Sequence, residues 1–324
     1  TSFSGYKLGG GGGGGGSDNL GDHTATQDID VDSNDVVNIN MLEFDAVAVC
    51  NGHFAEPRVP PLQNSHAFNG TLLHCHNYRR PDSFKNKRVA VFGVSASGAD
   101  ISREIASQAT DVYWCGDTFN NLQGESVSDP ENNNIHFYSC PTGFSDEGQL
   151  EFKHNNAVTI DSFVYATGYH YDFPFITDSQ LATVDDNYVS PLYKQIISAN
   201  NPRVGFIGIP FMVIPFPFFA VQSKWFTKSL KGEFKLPTRD NMLTAIEETV
   251  KNLESKGRKQ RLYHQLGDEH NNYLGNLLEE MGEPPLPDWF VSIMQECERV
   301  RTKHPTSFRD EDYKCEGPTK VTPS

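Results

Sequence analysis

The sequence predicts an α/β protein. Three observations carry that expectation: several short apolar runs of strand length, a glycine- and serine-rich turn joining one of them to a helical pattern, and a C-terminal third patterned as helices.

Taken in order, the chain begins with residues 1–35, which contain eight consecutive glycines at 9–16. Such a run has high backbone entropy and no side chains to bury, so it reads as a flexible low-complexity linker. No Lys or Arg occurs from Leu8 to Pro57, whereas Asp18, Asp22, Asp28, Asp30, Asp32 and Asp35 make the stretch acidic. Order is expected to begin near Val36. The run Phe44–Cys50 then reads as a buried parallel strand leaving into an Asn51-Gly52 turn, with Pro57, Pro60 and Pro61 marking a connector. Lys87–Phe92 is a second strand. Gly93-Val-Ser-Ala-Ser-Gly98 follows it at once, and Ile101 and Ile105 fall four apart in the helix expected over Ala99–Ala109. Further strands are expected at Asp111–Cys115, His136–Cys140, Phe163–Ala166 and Val204–Ile209. The apolar stretch Val204–Val221 is interrupted by Pro210, Pro215 and Pro217 and reads as a buried loop or strand region. Past Pro237, Thr238 can cap a helix with Met242, Ile246, Val250 and Leu253 on one face. Two more helices are expected near Asn272–Met281 and Asp288–Arg301, before a polar tail after His304.

Lys and Arg total 27 against 42 Asp and Glu, a net charge of -15. That balance excludes a general binder of nucleic acid or of anionic membranes, both of which need basic surface. No spanning segment is visible. The six cysteines include no CxxC pair, so free thiols in a reducing compartment are expected rather than a zinc ribbon or a redox dithiol. A cytoplasmic location fits this, with the possibility of a signal upstream of Thr1 left open.

The Gly93–Gly98 turn lies after a strand and opens a helix, where backbone N–H groups and the helix N-terminus can face a pyrophosphate. Ser95 replaces the middle glycine of the usual pattern, and Ser95 and Ser97 add hydroxyl donors beside Ala96. Taken alone, the turn is equally readable as a structural strand–helix connection. His74 and His76, at alternate positions of a strand with Cys75 between them, would share a face and invite a metal reading, but no third or fourth ligand is near in sequence, and no metal is expected.

Phe68-Asn-Gly-Thr-Leu-Leu-His74-Cys-His-Asn-Tyr78 has the F-x-G-x-x-x-H-x-x-x-[YF] pattern of the flavin-containing monooxygenases, at that family's usual short distance ahead of the glycine turn. Val49-Cys-Asn51-Gly52-His53 resembles their first linker and Ala166-Thr167-Gly168-Tyr169 their second. Pro210–Pro217 with Gln222 and Trp225 is similar to their C-terminal region. The resemblance runs from about Phe44 to about Arg301. It implies two Rossmann-like dinucleotide-binding domains, with an NADP domain at 61–162 inserted in an incomplete FAD domain made of 36–60 and 163–324. It also implies an enzyme with FAD and NADP as cofactors. Such an enzyme would use NADPH and O2 to oxygenate nitrogen or sulfur of a small nucleophile through a C4a-hydroperoxyflavin, chemistry that needs no acid–base triad.

On that reading Gly93, Ser95, Ala96, Ser97 and Gly98 hold the nicotinamide pyrophosphate, and His74 belongs to the recognition motif. Asn51, Gly52, Thr167 and Gly168 lie on linkers, where the plainer role is that of hinges. The sequence departs from the family twice. The segment ahead of Val49 carries no strand–GxGxxG–helix unit for FAD, so this chain is expected to be an inactive fragment or a non-catalytic nicotinamide-binding remnant. Asp117, about 20 residues past the turn, is placed as the usual partner of a free ribose 2′-hydroxyl and would repel a 2′-phosphate, which opens NAD as an alternative to NADP; it is equally readable as a residue that merely faces solvent. A Baeyer–Villiger monooxygenase is the nearest rival, but its related motif ends in Trp rather than Tyr78.

Overall fold

The computed structural model describes residues 44–121, 127–129, 132–303, 312–315 and 321–323. The expectations for residues 1–35 and for the onset of order near Val36 lie outside them.

Strand β1 (Val47–Val49) leads through β2 (Glu56–Pro57), β3 (Thr71–His74) and β4 (Arg88–Phe92) to helix α1 (Ala96–Ala106). Then come β5 (Asp111–Cys115), β6 (Val127–Ser128), β7 (Ile135–Tyr138), a hairpin of β8 (Pro141–Phe144) and β9 (Leu150–Phe152), and β10 (Ser162–Tyr165). The chain continues with β11 (Tyr169–His170), β12 (Thr183–Asp185), β13 (Tyr188–Ser190), β14 (Leu192–Tyr193), β15 (Ile197–Ser198) and β16 (Val204–Phe206). Four helices follow, α2 (Pro215–Leu230), α3 (Arg239–Ser255), α4 (His270–Glu280) and α5 (Asp288–Lys303), and then a short pair, β17 (Tyr313–Cys315) and β18 (Val321–Pro323).

A six-stranded sheet has the order β3-β10-β4-β5-β7-β6, parallel except for β6. Val89, Ala90 and Val91 are completely buried because both faces of this sheet are covered, which is why β4 reads as an unbroken apolar run. On one face Ile101 and Ile105 of α1 pack with Val89, Val91, Val112 and Trp114. On the other, Phe144, Leu150 and Phe152 of the β8–β9 hairpin pack on Ala90 and Phe163. The expected domain boundary at 162/163 falls inside β10, whose residues pair with both β3 and β4, so this sheet takes the chain to Tyr165.

A second, four-stranded sheet has the order β1-β16-β15-β14, with β1 and β16 parallel. Trp225 and Phe226 of α2, Met242 of α3 and Leu277 of α4 form its core with Ile196 and Ile197. The Thr238 hydroxyl accepts the Asn241 N–H at 3.4 Å and starts α3 where expected.

Two expectations need correction. Val204–Val221 is not a loop or strand throughout, because α2 begins at Pro215. Proline is well suited to the first helical position, since its missing N–H would be unpaired there anyway. Nor do His74 and His76 share a strand face: β3 ends at His74, and 75–77 form a turn of 3-10 helix.

Candidate nucleotide site and family

The turn after β4 is shaped by contacts a side chain would destroy. Gly93 has φ +136°, its N–H bonds Cys115 O at 2.9 Å, and a Cβ there would sit 2.1 Å from the Ala166 carbonyl oxygen. Gly98 is buried, and its Cβ would lie 1.8 Å from Gly93 O. That same oxygen accepts the Trp114 indole N–H at 2.8 Å. Ser95, Ala96 and Ser97, in contrast, are exposed. Ser95 is the N-cap with no side-chain cap bond, and Ala99 N–H to Ser95 O at 3.0 Å is an early bond of the helical ladder. The N–H groups of Ala96 and Ser97 lie ahead of it, at the positive end of an eleven-residue helix. This is the geometry a phosphate group requires.

The second linker leaves the same edge. Ala166 N–H bonds Phe92 O at 2.7 Å, so β10 delivers Ala166–Gly168 beside the glycine turn. Thr167 Oγ1 donates to Arg58 O, and Arg58 N–H returns a bond to Gly168 O at 2.9 Å. Gly168 has φ +82°, and the next residues pair antiparallel with β2, Tyr169 opposite Pro57 and His170 opposite Glu56. The two crossings between the sheets therefore run side by side as one ribbon.

His74 ends β3 opposite Tyr165. Its Nδ1 accepts the His76 N–H at 3.1 Å, pinning the turn at 75–77, and its ring meets Tyr169 edge-on at 5.1 Å. Burial pulls its pKa down, opposed by the Gly168 backbone. Asp117 is exposed just after β5, where Gly116 packs against Val94 of the turn. The glycine turn, Ala166–Gly168, His74 and Asp117 thus gather at the carboxyl edge of four parallel strands, where open α/β sheets bind ligands. Asn51 and Gly52 follow β1 of the other sheet; Asn51 Nδ2 donates to Asp172 O at 3.1 Å, and Gly52 has φ +72°.

Sequence reasoning missed a buried cluster behind the linkers. His53 Nδ1 bonds Gly208 O at 2.9 Å, and its ring lies 5.3 Å from Tyr171, which in turn lies 5.5 Å from His264. His264 accepts the Val189 N–H at 2.8 Å, and burial pulls its pKa down to about 3. Burial also lowers His53, against the opposing Gly208 bond. His53 is marked in the sequence only as part of the first linker and no local pattern marks Tyr171 or His264, because the cluster comes together from three distant segments.

The exposed turn fits a nicotinamide dinucleotide. For FAD, no second strand, glycine turn and helix of this kind occurs among the described residues, and no step is assigned to a flavin. Cys50, Cys75, Cys115, Cys140 and Cys297 are free thiols. No described helix is long and apolar enough to cross a membrane.

Comparison with known proteins rests on this frame. The sequence profile described as FMO-like, flavin-binding monooxygenase-like, matches residues 18–121 and 146–320. The chain belongs to the flavin-binding monooxygenase-like family. Within it, the chain is 37% identical over 269 residues to flavin-containing monooxygenase FMO GS-OX5 of Arabidopsis thaliana, covering 82% of this chain and 58% of that protein. It is 35% identical to FMO GS-OX-like 4 of the same plant, covering 83% of this chain and 59% of the relative. Among solved structures, the S-allyl-L-cysteine S-oxygenase of Allium sativum superposes with a TM-score of 0.78 at 35% identity, covering 83% of this chain and 61% of that one. A Tmm structure from a Pelagibacter strain shares the fold, with a TM-score of 0.68 at 23% identity. The chain spans about three fifths of the length of the curated family members it matches.

Proposed function

We propose that this chain is the nicotinamide-binding portion of a flavin-dependent monooxygenase that uses NADPH and O2 to oxygenate a small nucleophile at sulfur or nitrogen. Sulfur is favoured, because a relative at 35% identity is an S-allyl-L-cysteine S-oxygenase. The observation that carries the reading is the gathering of the glycine turn, Thr167 and Gly168 on one sheet edge. There the turn takes the pyrophosphate on the N–H groups of Ala96 and Ser97, with Ser95 and Ser97 hydroxyls beside them. Thr167 and Gly168 fix the ribbon that sets this sheet against the four-stranded one, and His74 supports that ribbon by holding the turn under Tyr169. Asp117 faces the adenosine ribose. It accepts from a free 2′-hydroxyl and disfavours a 2′-phosphate, so NADH is accepted alongside NADPH. The division into an NADP domain and a partial FAD domain follows the two sheets, and FAD supplies the oxygen-activating chemistry of the complete enzyme.

By itself the chain binds nicotinamide dinucleotide and does not oxygenate, since the described residues offer FAD no pyrophosphate turn. The test is to purify the chain, record its visible spectrum, titrate NADPH and NADH by calorimetry, and assay S-allyl-L-cysteine sulfoxide. Nucleotide binding without a flavin spectrum or product is expected. A bound flavin with turnover would refute the inactivity, and absence of nucleotide binding would refute the site.

A further inference from the structure

At the opposite end of the six-stranded sheet lies a cavity of about 520 Å³ that the nucleotide reading does not use. Thr71 of β3 and Ser162 of β10 are register partners at the amino ends of their strands, and Lys87 immediately precedes β4. With Asn77, Arg80 and Asp82 from the segment that follows β3, these residues line the space. It is large enough for a small molecule.

Two observations give it a chemistry. The Ser162 side chain is wholly buried, yet its hydroxyl has no hydrogen-bond partner, and buried polar groups are ordinarily paired. The lining is also basic in a chain of net charge -15. Lys87 forms no ion pair among the described residues; the Asp161 carboxylate, which its charge also helps to stabilise, is bonded by Arg88 at 3.1 Å. Arg80 meets Asp82 at 3.5 Å with both side chains largely in water, a weak pairing that an anion can displace. Arg79 also lines the cavity, but its Nη1 is committed to the His76 and Tyr78 carbonyls at 2.7 and 2.8 Å. At physiological salt the remote negative charge is screened beyond about 8 Å, so these local cations set the potential.

We propose that this cavity binds the phosphate group of a small molecule, with Lys87 and Arg80 as charged donors and the Ser162 hydroxyl donating from the floor. The inference is independent of the nucleotide site. The β3, β10 and β4 strands that frame the cavity are the ones whose far ends carry His74, Ala166–Gly168 and Gly93.

The test titrates the full chain at constant ionic strength with inorganic phosphate and, separately, with glucose 6-phosphate, read by calorimetry. Saturable binding is expected. Tighter binding of glucose 6-phosphate would identify a phosphate ester as the occupant, whereas equal or weaker binding would identify free phosphate. Lys87→Glu with Arg80→Glu should weaken the phosphate by at least about tenfold, and Ser162→Ala by about fivefold, with NADPH affinity and the circular dichroism spectrum retained. Lys87→Gln, which removes one charge without reversing it, should fall between these variants and the parent. No saturable binding, or binding that survives the double charge reversal, would overturn the proposal.

Discussion

Replacing Gly98 by alanine separates the structural reading from a propensity argument, since the two predict opposite signs. Alanine in a helix is favoured over glycine by about 1 kcal/mol, and Gly98 lies inside α1. In the fold, however, the new Cβ would stand 1.8 Å from Gly93 O, and ordinary contact begins at 3.4 Å, so helix and turn must separate by about 1.6 Å. Such overpacking costs about 1–3 kcal/mol. The displaced carbonyl also accepts the Trp114 indole N–H at 2.8 Å, and losing that bond in the core adds about 1–3 kcal/mol. Against the propensity gain, the net loss is about 1–5 kcal/mol. It should appear in urea unfolding as a lower midpoint with an unchanged slope, accompanied by weaker NADPH binding as the Ala96 and Ser97 N–H groups move. A variant as stable as the parent, with the parent's nucleotide affinity, would refute both the packing role of this glycine and the placement of the phosphate site.

Three further outcomes follow from the geometry. Gly168→Ala meets no atom within 4 Å and should lose only the left-handed backbone penalty at φ +82°, about 1–2 kcal/mol in urea unfolding, less than Gly98→Ala. Asp117→Asn should raise NADPH affinity relative to NADH by about tenfold in calorimetry; an unchanged ratio would remove Asp117 from the ribose. His264 is neutral in the fold, its pKa held down to about 3 from an ordinary 6.5. Between those values the unfolded chain takes up a proton that the folded chain refuses. The associated stability is thus present above pH 6.5 and falls below it by up to about 1.4 kcal/mol per pH unit. His264→Gln should flatten that part of the pH profile of unfolding.

The local parts of this fold were legible because their signals are local. The apolar run Arg88–Phe92, the turn after it and the four-residue spacing of Ile101 and Ile105 together describe a strand, a turn and a helix face, and the structure contains all three. Thr238 capped its helix as expected. What local reading could not supply was strand order: β10 inserts between β3 and β4 from about 70 residues away, and nothing in Ser162–Tyr165 names its neighbours. Prolines misled in one place. Pro215 and Pro217 read as interruptions of a strand or loop when Pro215 opens a helix, because the same fixed φ suits either context. His74 was identified by resemblance alone, and its work of holding the 75–77 turn emerged from a single hydrogen bond.

The ribbon formed by β2 and β11 also bears on how such a molecule can be taken apart. Arg58 and Gly168 face each other across a hydrogen bond of 2.9 Å, so the chain enters and leaves the six-stranded sheet through one doorway. Everything between them is a detour that begins and ends at the same place. A bridge of two or three residues from Pro57 to Tyr169 would close the remaining four-stranded unit across that gap, and the excised stretch would keep both of its ends adjacent.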